Sequence, residues 1–454
     1  MGNTRKYFGT DGVRDLANSG NMTAEFALKL GRAFMRFNRG KKIVIGRDTR
    51  LSGKMLECAL SAGISSEGAE VCLTGIIPTP GVSWAIKNLG ADAGAVISAS
   101  HNPAEYNGIK FLGADGCKLS DSEELEIEHI LENPEDMKPD HESIMQTIQT
   151  GNIIPAPDLS EKYAEHIAKL AESGLSAKLA SKNIAFDCAF GAASVIVPSV
   201  LINSGISGHV LSANFNGLDI NAGAGVMHME NLTGFVKNNR FDLGFAFDGD
   251  ADRVLISDSK GRIIDGDIIL WVLGRWLKLQ KISGSDSVVV TVMSNMALES
   301  HLARENIETL RCPVGDRYVL EAMREKNSAL GGEQSGHIIA MPFTSTGDGL
   351  CTAMLFLNAI NDLNENSDTL VDRFGRYPQK LTNLRLRKPR ELVDMSKVDE
   401  IVEDYKSKIA NLDGRIFVRT SGTEPLLRIL IEAREADVVE NFSLELSNIL
   451  EKFC

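Results

Sequence analysis

Asp248, Asp250 and Asp252 stand at i, i+2 and i+4 in FDGDADR, directly after the apolar run LGFAF. In extended backbone alternate residues share a side, so the spacing predicts that the three carboxylates converge. Like charges at that distance repel and raise one another's pKa, and a hard divalent cation with oxygen ligands removes the conflict. A calcium EF-hand also begins D-x-D-x-D, but its sixth position is Gly and its twelfth Glu, where this chain has Arg253 and Ser259. A solvated acidic turn is the plain alternative, and a buried strand leading into DGDADR argues against it. Mg2+ suits the set best, because three carboxylates leave positions for a phosphate oxygen and water.

Ser100 opens a second polar loop, ISASHNPAEYNGIKF, which also carries His101 and Lys110. A hydrolase would use Ser100 and His101 as nucleophile and base. Neighbours in an extended chain point to opposite sides, and no G-x-S-x-G elbow is present, so that pairing is not expected. A phosphoryl carrier fits better, with a serine phosphate resting on the metal of the acidic trio. In RTSGTEP, Arg419 offers a planar fork, Ser421 and Thr423 offer hydroxyls, and Gly422 lets backbone amides approach an anion. Arg428 follows on the next strand, which completes a phosphate cradle without Walker spacing. GGEQSGH places Glu333, Ser335 and His337 in a glycine-bounded loop suited to sugar hydroxyls, or to no ligand at all. Arg14 in GTDGVR and Lys110 in NGIK are each, taken alone, ordinary surface cations.

These loops need elements to hold them. TAEFALKLGRAFMRF spaces Phe26, Leu30, Phe34 and Phe37 as a helix, with Thr23 as N-cap. KIVIG, EVCLTG and AGAVIS read as strands joined by helices, hence parallel. The loops RDTRLSG, IIPTPG and SASHNP then leave one edge of that sheet, where open α/β folds bind ligands. The strand–loop–helix pattern recurs in KNIAFDCAFGAASVIVPSVLINSG and DSVVVTVMSNMALESHLAREN. The expected architecture is α/β: three related α/β domains with mixed sheets plus a smaller C-terminal α+β domain around a central cleft. The boundaries expected are 1–155, 156–258, 259–372 and 373–454, with NIIPAPDLS and the polar turn DSKGRIIDG as the first two junctions.

The chain has 454 residues and a formal net charge of −13, which excludes a broad nucleic-acid partner but not a small anion in a local pocket. Its seven scattered cysteines lack a CxxC pair, as free thiols in a reducing cytosol do. No apolar N-terminal signal and no membrane-spanning run stands in the sequence, so a cytoplasmic protein is expected.

ISASHNPAEYNGIKF, FDGDADR, GGEQSGH and RTSGTEP, in that order along the whole chain, resemble the α-D-phosphohexomutase superfamily. Within it, RKYFGTDGVR and Gln334 resemble the amino-sugar branch, which implies interconversion of glucosamine 6-phosphate and glucosamine 1-phosphate on the route to UDP-N-acetylglucosamine. The resemblance implies a phosphoserine at Ser100 and one Mg2+ per chain held by Ser100, Asp248, Asp250 and Asp252, with Arg253 beside them. It implies that His101 and Lys110 assist proton transfer and that Arg14 steadies the phosphoryl group. Glu333 and Ser335 would grip sugar hydroxyls, and Arg419, Ser421, Gly422, Thr423 and Arg428 would hold the phosphate that does not react. A sugar bisphosphate would act as intermediate and activator. Sugar phosphates are the partners implied, and both monomer and homodimer stay open. Mutases of glucose or mannose phosphates share every motif and are the first alternative; a non-catalytic sugar-phosphate sensor is the second. An aspartate-nucleophile phosphatase wants Thr or Val where Asp252 stands. Two departures from the family pattern are Asp15, where Gly is usual, and the stretch NAGAGVMHMENL from Asn221.

Overall fold

The computed structural model describes residues 5–133, 150–386, 395–420 and 426–452. The first sheet contains β1 (Val13–Leu16), β2 (Lys42–Arg47), β3 (Glu70–Ile76), β4 (Ala93–Ile97), β5 (Tyr106–Gly113) and β6 (Ile153–Pro155). Its order is β1-β5-β4-β2-β3-β6. β2 runs parallel to β3 and β4, while β5 is antiparallel to both β4 and β1. The loops after β2, β3 and β4 therefore emerge at one edge. Helix Ala24–Asn38 covers a face, with Leu30 and Phe34 fully buried and Phe34 stacked on Phe111 at 4.0 Å between ring centroids. Thr23 caps it: its Oγ1 accepts from Phe26 N at 3.2 Å.

The second sheet is β7 (Ile184–Asp187), β8 (His209–Leu211), β9 (Leu243–Phe247), β10 (Val254–Asp258) and β11 (Ile263–Ile264), ordered β11-β10-β9-β7-β8. It runs on to Ile264, past residue 258 where the sequence suggests a boundary. The polar turn there is a hairpin, closed by Lys260 N and Arg262 N donating to Asp258 Oδ1. The third sheet is β12 (Ser287–Thr291), β13 (Glu308–Cys312), β14 (Leu330–Gly332) and β15 (Ile338–Ala340), ordered β13-β12-β14-β15. The fourth is wholly antiparallel: β16 (Gln379–Arg385), β17 (Gly414–Thr420) and β18 (Leu426–Ala433), with β18 central.

One buried apolar cluster passes from Val44 and Val82 in the first unit through Phe186 and Phe245 to Leu350 and Phe356 in the third. Helix Gly349–Asp362 lies in it, apolar all round and buried over almost its whole length. The fourth unit keeps a separate core, with Val398, Ile429 and Leu446 at its centre. The six described cysteines are free thiols, and among the described residues no helix is long and apolar enough to cross a membrane.

Candidate active site

Ser100 follows β4 at the shared edge, and its backbone is left-handed at φ +49. That region costs a non-glycine residue about 1–2 kcal/mol, so surrounding contacts must impose it. Its Oγ donates to Asp248 Oδ2 at 2.7 Å. His101 Nδ1 lies 3.3 Å from the same Oγ. Contrary to the expectation from extended backbone, the left-handed turn at Ser100 brings these two side chains to one side.

The acidic trio converges as expected, but for a different reason. Asp248, Asp250 and Asp252 lie beyond the end of β9 in a turn closed by Ala251 N donating to Asp248 O at 3.0 Å, with Ala251 at φ +53. Strand alternation plays no part. The turn folds one ligand atom of each carboxylate to within 4.8 Å of the others. Burial, then Asp252 and Asp250, push the Asp248 carboxyl well above its usual range. Asp250 is also buried, yet Lys110 and Thr79 hold it below that range. Lys110 Nζ donates to Asp250 Oδ2 at 2.8 Å and lies 3.8 Å from Asp252. Oδ1 of Asp250 and Oδ1 of Asp252 are buried without a hydrogen-bond partner. A cluster of oxygen donors with vacant lone pairs and mutual repulsion fits a hard divalent cation.

Cations ring the trio. Burial works to lower the Lys110 pKa, but Asp11 and Asp250 outweigh it and raise the pKa above its ordinary value. Arg253 N donates to Asp248 Oδ1 at 3.2 Å, and its side chain lies 3.8 Å from Asp252. Arg14, on β1, pairs with Asp11. His101 is pushed the other way, first by burial and then by Arg253 and Arg14, so the neutral imidazole is favoured.

The sugar-type loop is attached directly to the metal-type loop. Arg253 and His337 form a β-bridge, and Val254 N donates to Gly336 O at 3.1 Å. Gly336 has φ +92 and a Cβ there would lie 2.3 Å from Val254 O, so only glycine allows the approach. Glu333 Oε1 accepts from Gly315 N at 3.1 Å, and Ser335 Oγ lies 3.4 Å from Glu333 Oε2. In the fourth unit Arg419 and Arg428 are directly opposite on β17 and β18. Ser421, Gly422 and Thr423 lie outside the described residues.

Several contributors carry no motif of their own. Thr79, the first residue of the helix Thr79–Leu89 that follows β3, donates through Oγ1 to Asp250 Oδ2 at 2.5 Å and through N to Asp250 O at 3.0 Å. Parallel topology brings the end of β3 to this edge, but no local pattern signals this side chain. Lys118 joins Asp11 in the first unit to Asp316 in the third, and Asp316 lies 3.5 Å from His337 Nε2. Nothing local in the sequence signals that bridge. Asp15 serves the turn that follows β1, accepting from Leu16 N at 2.8 Å and Asn21 N at 2.9 Å.

Four models of the phosphoglucomutase/phosphomannomutase family match in succession: alpha/beta/alpha domain I over 5–138, domain II over 161–261, domain III over 265–377, and the C-terminal domain over 381–449. The phosphoglucosamine mutase of Bacillus velezensis is 40% identical over 449 residues, covering 98% of each chain. That of Bacillus subtilis is 41% identical over 441 residues, 96% of each. The chain belongs to the phosphoglucosamine mutase family, within the α-D-phosphohexomutase superfamily. At lower identity the fold alone is shared. A phosphoglucomutase/phosphomannomutase family protein of Burkholderia thailandensis superposes with a TM-score of 0.79 at 22% identity, covering 98% of this chain and 97% of that one. An N-acetylphosphoglucosamine mutase of Aspergillus fumigatus, solved with GlcNAc-6P and magnesium, gives 0.66 at 16% identity, over 99% and 96%.

Proposed function

We propose that this member of the phosphoglucosamine mutase family interconverts glucosamine 6-phosphate and glucosamine 1-phosphate by way of a phosphorylated Ser100 and a sugar bisphosphate. The observation that carries the reading is the 2.7 Å contact between Ser100 Oγ and Asp248 Oδ2, which joins the first unit's hydroxyl to the second unit's acidic trio. Asp248, Asp250, Asp252 and Ser100 are the residues that would hold Mg2+. A cation bound there neutralises charge on a transferring phosphoryl group.

The rest is work for the chain. Phosphoryl transfer demands positioning and charge compensation more than covalent chemistry. Arg14, Lys110 and Arg253 line the site with fixed positive charge. The free hydroxyl of the sugar phosphate attacks phosphorus as the Ser100 Oγ–P bond breaks. His101, neutral and 3.3 Å from Oγ, takes the sugar proton and returns one to Oγ, so that atoms and charge balance. The bisphosphate then turns end for end and gives its other phosphate back to Ser100. Glu333 and Ser335 meet the sugar hydroxyls, while Arg419, Arg428 and the 421–423 segment grip whichever phosphate is idle.

The alternative rests on the match of all four units to the phosphoglucomutase/phosphomannomutase family. Assaying glucosamine, glucose and mannose 1-phosphates side by side decides between them. The reading expects the highest kcat/KM for the amino sugar, loss of activity in EDTA and recovery with Mg2+. A higher kcat/KM for glucose or mannose phosphate would reassign the substrate.

A further inference from the structure

Arg50 heads the largest fully buried side chains, and its use is unusual. Nε donates to Asp48 Oδ2 at 2.9 Å. The remaining side-chain donors go to backbone carbonyls of the loop that carries Ser100 and of Tyr106, where β5 begins. Nη2 donates to Ser100 O at 3.0 Å and Asn102 O at 2.8 Å, and Nη1 to Tyr106 O at 3.0 Å and to Pro103 O. Asn221 approaches from the second unit with the same targets. Its Nδ2 donates to Ser100 O at 2.9 Å and Asn102 O at 3.0 Å. The other side of the residue is fixed as well: Ser100 N donates to Ser98 Oγ at 2.9 Å, and Ser98 Oγ donates to Asp48 Oδ2 at 2.6 Å.

Both peptide groups flanking Ser100 are thus held from outside, and the residue between them has the left-handed φ that serine does not choose for itself. In ordinary extended or helical backbone the carbonyl of Ser100 could not meet both donors, and the Cα–Cβ bond would swing away from Asp248. We infer that Arg50 and Asn221 are positioning residues: they impose the left-handed turn at Ser100 and so aim its Oγ at the acidic trio. Arg50 does this within the first unit. Asn221 does it across the junction, setting the register of the serine loop against the metal-type loop. It also gives a place to the NAGAG stretch, whose backbone is tied at Asn221 N to Ala189 O at 2.8 Å.

The inference rests on Ser100 being the phosphoryl carrier, and two arms separate the failure of one from the failure of the other. Asn221→Asp keeps the shape and removes the donor; Arg50→Lys keeps the charge and removes the fork. The first arm measures kcat and KM for glucosamine 1-phosphate on folded, bisphosphate-primed enzyme. A displaced nucleophile should lower kcat about 10- to 100-fold while KM moves less than about threefold. A merely structural role would lower the unfolding temperature and leave kcat per folded molecule unchanged, which overturns the inference. Should Arg50→Lys fail to fold, Asn221→Asp decides alone. The second arm needs no activity: a crystal structure of Asn221→Asp should show Ser100 out of the left-handed region or its Oγ off Asp248. Retention of both overturns the inference, and it does so even if the wild type proves unable to move phosphate to a sugar.

Discussion

At the residue scale the proposed chemistry depends on one hydroxyl among three carboxylates and their counter-charges. Replacing Ser100 with Ala removes a single oxygen from a 2% exposed position, so the fold should stand while sugar phosphate turnover falls by about 10³-fold or more. Thermal unfolding and a coupled isomerisation assay on the same sample check both halves. The types and order of these residues are legible in the sequence, because FDGDADR and SASHNP keep their chemistry in short local runs. Their geometry is less so. Periodicity describes regular backbone, and the decisive residues here lie in turns: Ser100 and Ala251 are both left-handed. Hence the trio converges without strand alternation, and His101 reaches the oxygen that an extended chain would deny it. Nor does any local pattern indicate that Lys110 is held charged and His101 neutral, since that division comes from burial and from neighbours in other segments.

At the scale of elements, loops at strand ends are packed backbone to backbone. Gly249 is a point of close approach between the first two units. A Cβ there would lie 2.6 Å from Ser100 O and 2.8 Å from Ile220 Cδ1. Gly249→Ala must push the serine and metal-type loops apart, and a displacement near 1 Å lowers kcat about 100-fold. Steady-state kinetics should show that loss with little change in KM. The strands themselves are readable from apolar runs and turn residues, and the parallel β2, β3 and β4 deliver their loops to one edge as parallel topology requires. What joins the loops is tertiary. Asn221 and Ser100 are 121 positions apart, and no spacing rule connects them.

At the scale of the molecule, one core cluster runs through the first three units beside clusters local to each, and the fourth unit has only its own. Recurrence of strand–loop–helix patterns makes the units countable from sequence, but continuity of burial between them is not encoded locally. Polar contacts join the fourth unit to the third: Met296 N donates to Glu432 Oε1 at 2.7 Å, Asn295 Nδ2 to Gln379 Oε1 at 3.2 Å, and Arg415 Nη2 to Ser294 O at 2.5 Å. Such a junction suits closure over a ligand. Arg428→Ala should then raise KM for glucosamine 6-phosphate about 10- to 100-fold, the loss of a charged hydrogen bond, while the phosphorylation level of Ser100 is unchanged. Asp267 beside this junction is pushed up to about 7, first by burial and then by Asp265. In the unfolded chain such a carboxyl titrates near about 4. The native state therefore holds the extra proton between those values, and this group's contribution to stability falls as pH rises through that window. Asp267→Asn keeps an acceptor for Asn295 N and abolishes the titration. Urea unfolding from pH 4 to 7 should show the variant gaining on the wild type as pH rises.

The proposed mechanism requires Ser100 to carry the phosphoryl group that moves. Peptide mass spectrometry of Ser100, on enzyme primed with sugar bisphosphate and then incubated with glucosamine 1-phosphate, tests it most directly. One phosphoryl group on Ser100 after priming, and its transfer to the sugar on incubation, are the expected results. Isomerisation proceeding while Ser100 never carries phosphate would contradict it.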